Sequence, residues 1–205
     1  MVKVKICGIR REKDIEIVNK YQPDYIGFVF AKSKRQVDAY IASVLGEKLM
    51  PNIKKIGVFV NEDIKRLKEI VLKAKLDIVQ LHGDEDSKYI EKLRGINVWK
   101  AVNISSKEDR DKLKNYEVSG FIVDSIDGAN RGGNGRVFDW KLLKEYESNI
   151  KKPIIVAGGL NIDNVNECIK TLNPFCVDVS SGVETDGFKD EEKIKKFILK
   201  VRNFK

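Results

Sequence analysis

Tyr25-Ile26-Gly27-Phe28-Val29-Phe30 is a continuous apolar run. It lacks the polar alternation of a strand with one wet face, so it reads as a strand covered on both sides, as in a parallel sheet flanked by crossover helices. The flanks agree. Upstream, residues 11–21 carry Ile15, Ile17 and Val18 at helical spacing, and residues 2–7 alternate Val, Lys, Val, Lys, Ile, Cys like a strand. Downstream, a loop leads into a helical pattern over 37–45.

The same grammar continues to the end of the chain. Strands are predicted over 56–60, 78–82, 98–102, 121–124, 154–157 and 176–179. The matching helices are expected over 62–74, 87–93 and 107–115, then from Trp140, from near Asn161 and over 191–201. Eight βα units predict an α/β protein, a single-domain (β/α)8 barrel of the TIM type spanning residues 1–205. A doubly wound open sheet is the competing architecture. The first βα turn, Cys7-Gly8-Ile9-Arg10, lacks the G-x-G-x-x-G fingerprint that would favour it.

At 205 residues the chain sits at the short end of the roughly 200 to 400 that such a barrel takes. No Pro/Ser-rich linker or low-complexity tract interrupts it. The start, with a charge at every second residue, is unlike a signal peptide, and no run approaches the ~20 apolar residues of a membrane span. A cytoplasmic location is therefore expected. Cys7, Cys168 and Cys176 have no C-x-x-C or His spacing, which predicts free thiols and no metal site. The net charge of +8 suits an anionic ligand, a nucleic acid or a lysine-rich solvated surface. Lysines spread over all the predicted helices, without an aromatic-laced stripe, favour the surface over a nucleic-acid partner.

Active sites of these barrels open at the C-terminal ends of the strands, which makes Cys7, Arg35, His82, Asp124, Gly158 and Ser180 neighbours. Strand period two turns Lys5 and Cys7 inward, with Gln80 and His82, Ile122 and Asp124, and Asp178 and Ser180. An unpaired charge inside a barrel is costly, so Lys5, Gln80 and Asp178 are expected to hydrogen-bond one another. Cys7 can be a base or nucleophile if nearby positive charge lowers its pKa from about 8.5, or else a small buried hydrophobe. Asp124 is a carboxylate at the mouth or a turn cap. His82, the only histidine, reads better as a hydrogen-bonded structural group than as a catalytic one.

Gly158-Gly159 and Ser180-Ser181-Gly182 follow the seventh and eighth strands, where backbone amides and helix N-termini form the usual phosphate site of this architecture. Arg35, in Lys32-Ser33-Lys34-Arg35, offers a planar fork for a carboxylate, or belongs to a solvated basic loop. The glycine-rich stretch 128–135 is a lid or a flexible connector.

Taken together, Lys5-Ile6-Cys7-Gly8-Ile9, Gly27-Phe28-Val29-Phe30 with Ser33 and Arg35, and Gly57-Val58-Phe59-Val60-Asn61 form a familiar series. It continues through Val79-Gln80-Leu81-His82-Gly83, Gly133-Asn134-Gly135 with Phe138-Asp139-Trp140, Gly158-Gly159-Leu160, and Val177-Asp178-Val179-Ser180-Ser181-Gly182-Val183-Glu184. In order and over nearly the whole chain, these resemble the phosphoribosylanthranilate isomerase family of tryptophan biosynthesis. The resemblance implies an Amadori rearrangement of a phosphorylated sugar without a cofactor. It makes Cys7 the general base and Asp124 the general acid. It gives the anthranilate carboxylate to Arg35 and the phosphate to Gly158, Gly159, Ser180, Ser181 and Gly182, with Asp178 as an orienting neighbour.

Lys34, Gln36 and Arg136 depart from the family's usual residues, and the first two bear on the shape of the loop presenting Arg35. The expected partner is a small phosphorylated substrate, with neither nucleic acid nor membrane, for a monomer or homodimer. Another phosphate-binding barrel isomerase or synthase is the nearer rival. In a sugar isomerase of the histidine pathway a carboxylate would stand where Cys7 does.

Overall fold

The computed structural model of the chain describes residues 1–103, 109, 111, 113–124 and 152–204. Eight parallel strands close into a barrel in sequence order: β1 (Lys3–Cys7), β2 (Tyr25–Val29), β3 (Lys54–Phe59), β4 (Ile78–Leu81), β5 (Val98–Val102), β6 (Gly120–Val123), β7 (Ile154–Val156) and β8 (Cys176–Val179). Closure leaves no unpaired sheet edge. Around it, among the described residues, lie α1 (Glu12–Tyr21), α2 (Ala39–Glu47), α3 (Ile64–Lys73), α4 (Ser87–Glu91), α5 (Val165–Leu172) and α6 (Glu191–Arg202). The glycine-rich stretch 128–135 and the helix expected from Trp140 lie outside the described residues, as do 107, 108, 110 and 112 of the expected fifth helix.

Aspartate starts most of these helices. Asp38, Asp63, Asp86 and Asp190 each accept a hydrogen bond from a backbone N–H in the first turn, satisfying donors that have no intrahelical partner. Two expected boundaries move for local reasons. Val37 still belongs to the sheet side, its N–H donating to the Val29 carbonyl, so α2 begins only after Asp38. Helix α5 begins at Val165, later than the expected Asn161. The Asn161 side chain accepts from the N–H groups of Asp163 and Asn164, and that Asx turn takes up the residues between.

The strand parity read from the sequence holds. Val4, Ile6, Ile26, Phe28, Val79 and Val177 face outward and pack against Ile15, Val18, Leu67, Ile194 and Phe197 of the helices. Each such side chain contributes about 1.5–3 kcal/mol on burial. Inside, Tyr25, Ile56, Ile78, Trp99, Ile122, Ile155 and Cys176 form a second apolar cluster. It plugs the barrel. Above it the interior turns polar, because Lys5, fully buried, pairs in register with Asp178 across β1 and β8.

One element was absent from the sequence reading. Beyond β8 a single turn of 3₁₀ helix, Ser181–Val183, leads into an antiparallel hairpin of β9 (Glu184–Thr185) and β10 (Phe188–Lys189). Asp186 and Gly187 join the two strands with positive φ of 52° and 77°, the type I′ geometry that an Asp-Gly pair favours.

Candidate active site

The mouth of the barrel holds a cavity of about 260 Å³. Cys7, Arg35, Gln80, His82, Asp124, Gly158, Gly159, Asp178, Ser180 and Ser181 line it, and of the expected site residues only Gly182 does not. Cys7 ends β1 and Asp124 follows β6, so the thiol and the carboxylate share one space although 116 positions of chain intervene. Gly27 on β2 makes room for the thiol. A Cβ there would lie 2.7 Å from the Cys7 sulfur and 3.3 Å from Cε of Lys5.

The floor of the cavity is a buried polar network. Lys5 Nζ donates to Asp178 Oδ2 at 2.6 Å and to Gln80 Oε1 at 2.8 Å, the mutual bonding expected from parity. Gln80 Nε2 stands 2.9 Å from His82 Nδ1, and His82 Nε2 lies 3.3 Å from Asp124 Oδ2. His82 is hydrogen-bonded, as expected, but it faces the cavity beside the candidate acid. Burial works against the charge on Lys5, yet the neighbouring Asp178 and Cys7 outweigh it and hold the ammonium above its ordinary range. The other carboxylate oxygen of Asp178, Oδ1, is buried and has no hydrogen-bond partner among the described residues. Asp178 itself is among the residues that line the cavity.

The condition set for a reactive Cys7, a thiol lowered by nearby positive charge, is not met in the resting site. Burial is the dominant influence and pushes it up; Lys5 and Lys189 oppose that without reversing it. Cys7 rests as a thiol beside an ammonium. The other free cysteines are further from reactivity: burial holds Cys168 up at about 12 and Cys176 well above the usual thiol value.

Arg35 is not a free fork. Its Nε and Nη2 each donate to one oxygen of Glu184 at 2.7 Å. Lys189 Nζ donates to the same carboxylate at 2.8 Å and to the Ser180 carbonyl at 3.0 Å. Burial opposes the charge on Glu184, but these two cations hold its pKa down at about 2. Burial also lowers Lys189. Sequence reasoning missed Glu184, the partner of Arg35, and Lys189, the second cation on that carboxylate. The available signal was the Asp186-Gly187 turn, which pairs Glu184 with Lys189 across the hairpin.

The loop carrying Arg35 is held by hydrogen bonds at the two departing positions, Lys34 and Gln36. Gln36 Nε2 donates to the Phe30 carbonyl at 2.9 Å, while Arg10 donates to the carbonyls of Lys34 and Gly187 at 2.6 and 2.8 Å. Gly8, with φ of 84°, lets Arg35 and Ser180 close over the first turn, since a Cβ there would meet Arg35 Cδ at 2.5 Å.

At the expected phosphate site Gly158 and Gly159 both have positive φ, 81° and 63°, and the Gly159 carbonyl is tied down by Asn164 Nδ2 at 2.9 Å. Gly182 has a packing role. A Cβ on it would fall 2.0 Å from the Leu160 carbonyl, so the turn after β8 seats directly on the loop after β7. A buried pair also went unread. Glu85 accepts from the N–H groups of Asn61 and Gly83 and from Lys100 Nζ, bracing the loops after β3 and β4 just beyond His82.

A closed (β/α)8 barrel whose mouth gathers a thiol, a carboxylate, an imidazole and two small-residue loops suited to an anion is built as an acid–base enzyme for a small anionic substrate. A family model described as N-(5'phosphoribosyl)anthranilate (PRA) isomerase matches residues 4–200, and the chain belongs to that family. It is 68% identical, over the full length of both chains, to the N-(5'-phosphoribosyl)anthranilate isomerase of Clostridium acetobutylicum. The phosphoribosyl anthranilate isomerase structure from Thermotoga maritima superposes with a TM-score of 0.90 at 37% identity, covering 98% of this chain and 99% of that one. A further such isomerase structure, in complex with reduced 1-(o-carboxyphenylamino)-1-deoxyribulose 5-phosphate, gives a TM-score of 0.86 at 36% identity, covering 98% and 99%.

Proposed function

We propose that the cavity isomerises N-(5'-phosphoribosyl)anthranilate to 1-(2-carboxyphenylamino)-1-deoxyribulose 5-phosphate, with Asp124 as general acid and Cys7 as general base. The chain is an isomerase of tryptophan biosynthesis. The observation that supports this reading is that Cys7 and Asp124, from β1 and β6, line one cavity together with the loops after β7 and β8, and the division of roles between them follows the family resemblance.

Asp124 gives its proton to the ribose ring oxygen while the anilino nitrogen lone pair forms the C1=N bond and the C1–O bond breaks. Cys7, once its thiol has released its proton to solvent, removes the proton from C2 as the thiolate, and the electron pair of that C–H bond neutralises the iminium to give an enolamine. Tautomerisation, with proton delivery to C1, yields the ketone. Each such proton transfer is worth typically 10²- to 10⁴-fold. Lys5 stands beside the sulfur and stabilises the thiolate when it forms.

Binding divides by charge. The backbone groups of Gly158, Gly159, Ser180 and Ser181 receive the phosphate, and Gly182 holds their two loops together. Glu184 takes one edge of the Arg35 guanidinium; the Nη1 side takes no partner among the described residues and receives the anthranilate carboxylate. Asp178, on the cavity lining, is the orienting neighbour of the bound sugar. Fixing both anionic ends holds C2 against the sulfur. We assign the enzyme to the cytoplasm; among the described residues no helix is long and apolar enough to cross a membrane.

The test is fluorescence-monitored consumption of phosphoribosylanthranilate by the wild type, Cys7→Ser and Asp124→Asn. Turnover by the wild type and its collapse in both variants is expected. An inactive wild type removes the isomerase assignment, and full activity in either variant removes that residue's role.

A further inference from the structure

Asp124 stands at the end of a line of polar contacts that starts at a buried ammonium, two of them hydrogen bonds and the last a 3.3 Å approach of His82 Nε2 to Oδ2, and the direction of that line can be deduced link by link. An ammonium has three donors and no acceptor. Lys5 Nζ at 2.8 Å from the Gln80 side chain therefore requires the amide oxygen there. The amide's other end, which faces His82, is then the NH₂ group and can only donate. His82 Nδ1, at 2.9 Å, must be the bare acceptor nitrogen. A neutral imidazole with a bare Nδ1 carries its hydrogen on Nε2, the nitrogen 3.3 Å from Asp124 Oδ2.

We propose that Gln80 is a positioning residue: it transmits the donor polarity of Lys5 to His82, locks the imidazole in the Nε2–H tautomer, and so directs the transferable proton of Asp124 to Oδ1. A hydrogen on Nε2 points its positive charge at the nearby Oδ2, 3.3 Å away, and so disfavours a second hydrogen on that oxygen. The acid proton is thus kept on the oxygen free for substrate. In the opposite tautomer a bare Nε2 would accept the Asp124 proton in a hydrogen bond and draw the acid away from the sugar. The catalytic half of this inference rests on the assignment of Asp124 as general acid; the tautomer does not.

His82 is the only histidine of the chain, so a ¹⁵N-labelled sample has one imidazole to observe. The expected wild-type spectrum shows a neutral ring with hydrogen on Nε2 and a bare Nδ1. In Gln80→Glu the carboxylate accepts from both Lys5 and His82, so hydrogen should move onto Nδ1, with kcat falling by about 10²-fold, the usual cost of a misplaced catalytic group, and KM nearly unchanged. Gln80→Met, which keeps length but transmits no polarity, should give a mixture of tautomers and an intermediate kcat, and it carries the test if the glutamate variant does not fold. A wild-type ring protonated on Nδ1 overturns the proposal. So does a tautomer change that leaves kcat at the wild-type value. An Nε2–H ring in an enzyme that turns over no phosphoribosylanthranilate would uphold the chain's direction while removing the isomerase assignment.

Discussion

Glu184 closes on Arg35 with two parallel hydrogen bonds of 2.7 Å and on Lys189 with a third of 2.8 Å, so one carboxylate on the hairpin beyond β8 sets the position of the guanidinium beyond β2. Since Glu184 is held down at about 2, below an ordinary glutamate, its share of stability is complete above the unfolded value of 4.5 and is lost as pH falls from there towards 2. Glu184→Gln strands two cations, Lys189 among the buried residues, and should cost about 3–5 kcal/mol at neutral pH. Denaturant unfolding of both proteins from pH 6 to pH 2 tests this: the gap between them should narrow across that window. A constant gap would show that the charge of Glu184 contributes nothing.

Lys5→Met removes the donor that satisfies both Asp178 and Gln80 in the interior of the barrel. Breaking one side of a buried pair costs about 3–5 kcal/mol, whereas replacing both sides with apolar groups is often neutral. The single variant should therefore unfold at much lower denaturant, and Lys5→Met/Asp178→Leu should recover most of the loss without recovering activity. The pH profile of kcat/KM adds a second readout. Lys5 works against the upward push of burial on Cys7, so its removal should move the thiol limb to higher pH. A limb that stays in place would detach Lys5 from the sulfur.

Much of this arrangement was legible because strand parity follows from covalent geometry. Alternation along four strands was enough to turn Lys5, Gln80, Asp124 and Asp178 into one interior, and costly burial of charge made the bonding of Lys5, Gln80 and Asp178 foreseeable. The Arg35 clamp was not legible, since Glu184 and Lys189 sit in a polar stretch that looks solvated until the hairpin folds them inward. Lys100 hid for a related reason. It lies between Trp99 and Ala101 on the outward parity of β5, where only three-dimensional cover by Glu85 makes it a buried ion pair. The state of the Cys7 thiol also escaped sequence, because it is a balance of burial against distant charges.

Gly27→Ala tests the room left for the sulfur. The new Cβ would lie 2.7 Å from Cys7 Sγ and 3.2 Å from Cys7 Cα, closer than ordinary contact, so the thiol must shift. Overpacking of this kind costs about 1–3 kcal/mol, whereas a displacement near 1 Å can cost about 10²-fold in rate. The variant should stay folded at 25 °C, bind a substrate-like phosphate normally and lose kcat. Loss of binding with kcat intact would place the strain elsewhere.

Gly182→Ala acts on the other end of the substrate. Its Cβ would fall 2.0 Å from the Leu160 carbonyl and 3.0 Å from Asn161 Cα, backbone atoms that cannot swing aside, so the loops after β7 and β8 must part. The parted loops hold the phosphate in the ground state and the transition state alike. The loss should therefore appear mainly as a raised KM with kcat changed far less, together with about 1–3 kcal/mol of lost stability. Steady-state kinetics with inorganic phosphate as competitor reads both effects, since its inhibition constant should rise in step with KM. A KM that rises while phosphate inhibition stays at the wild-type level would move the phosphate site away from these loops.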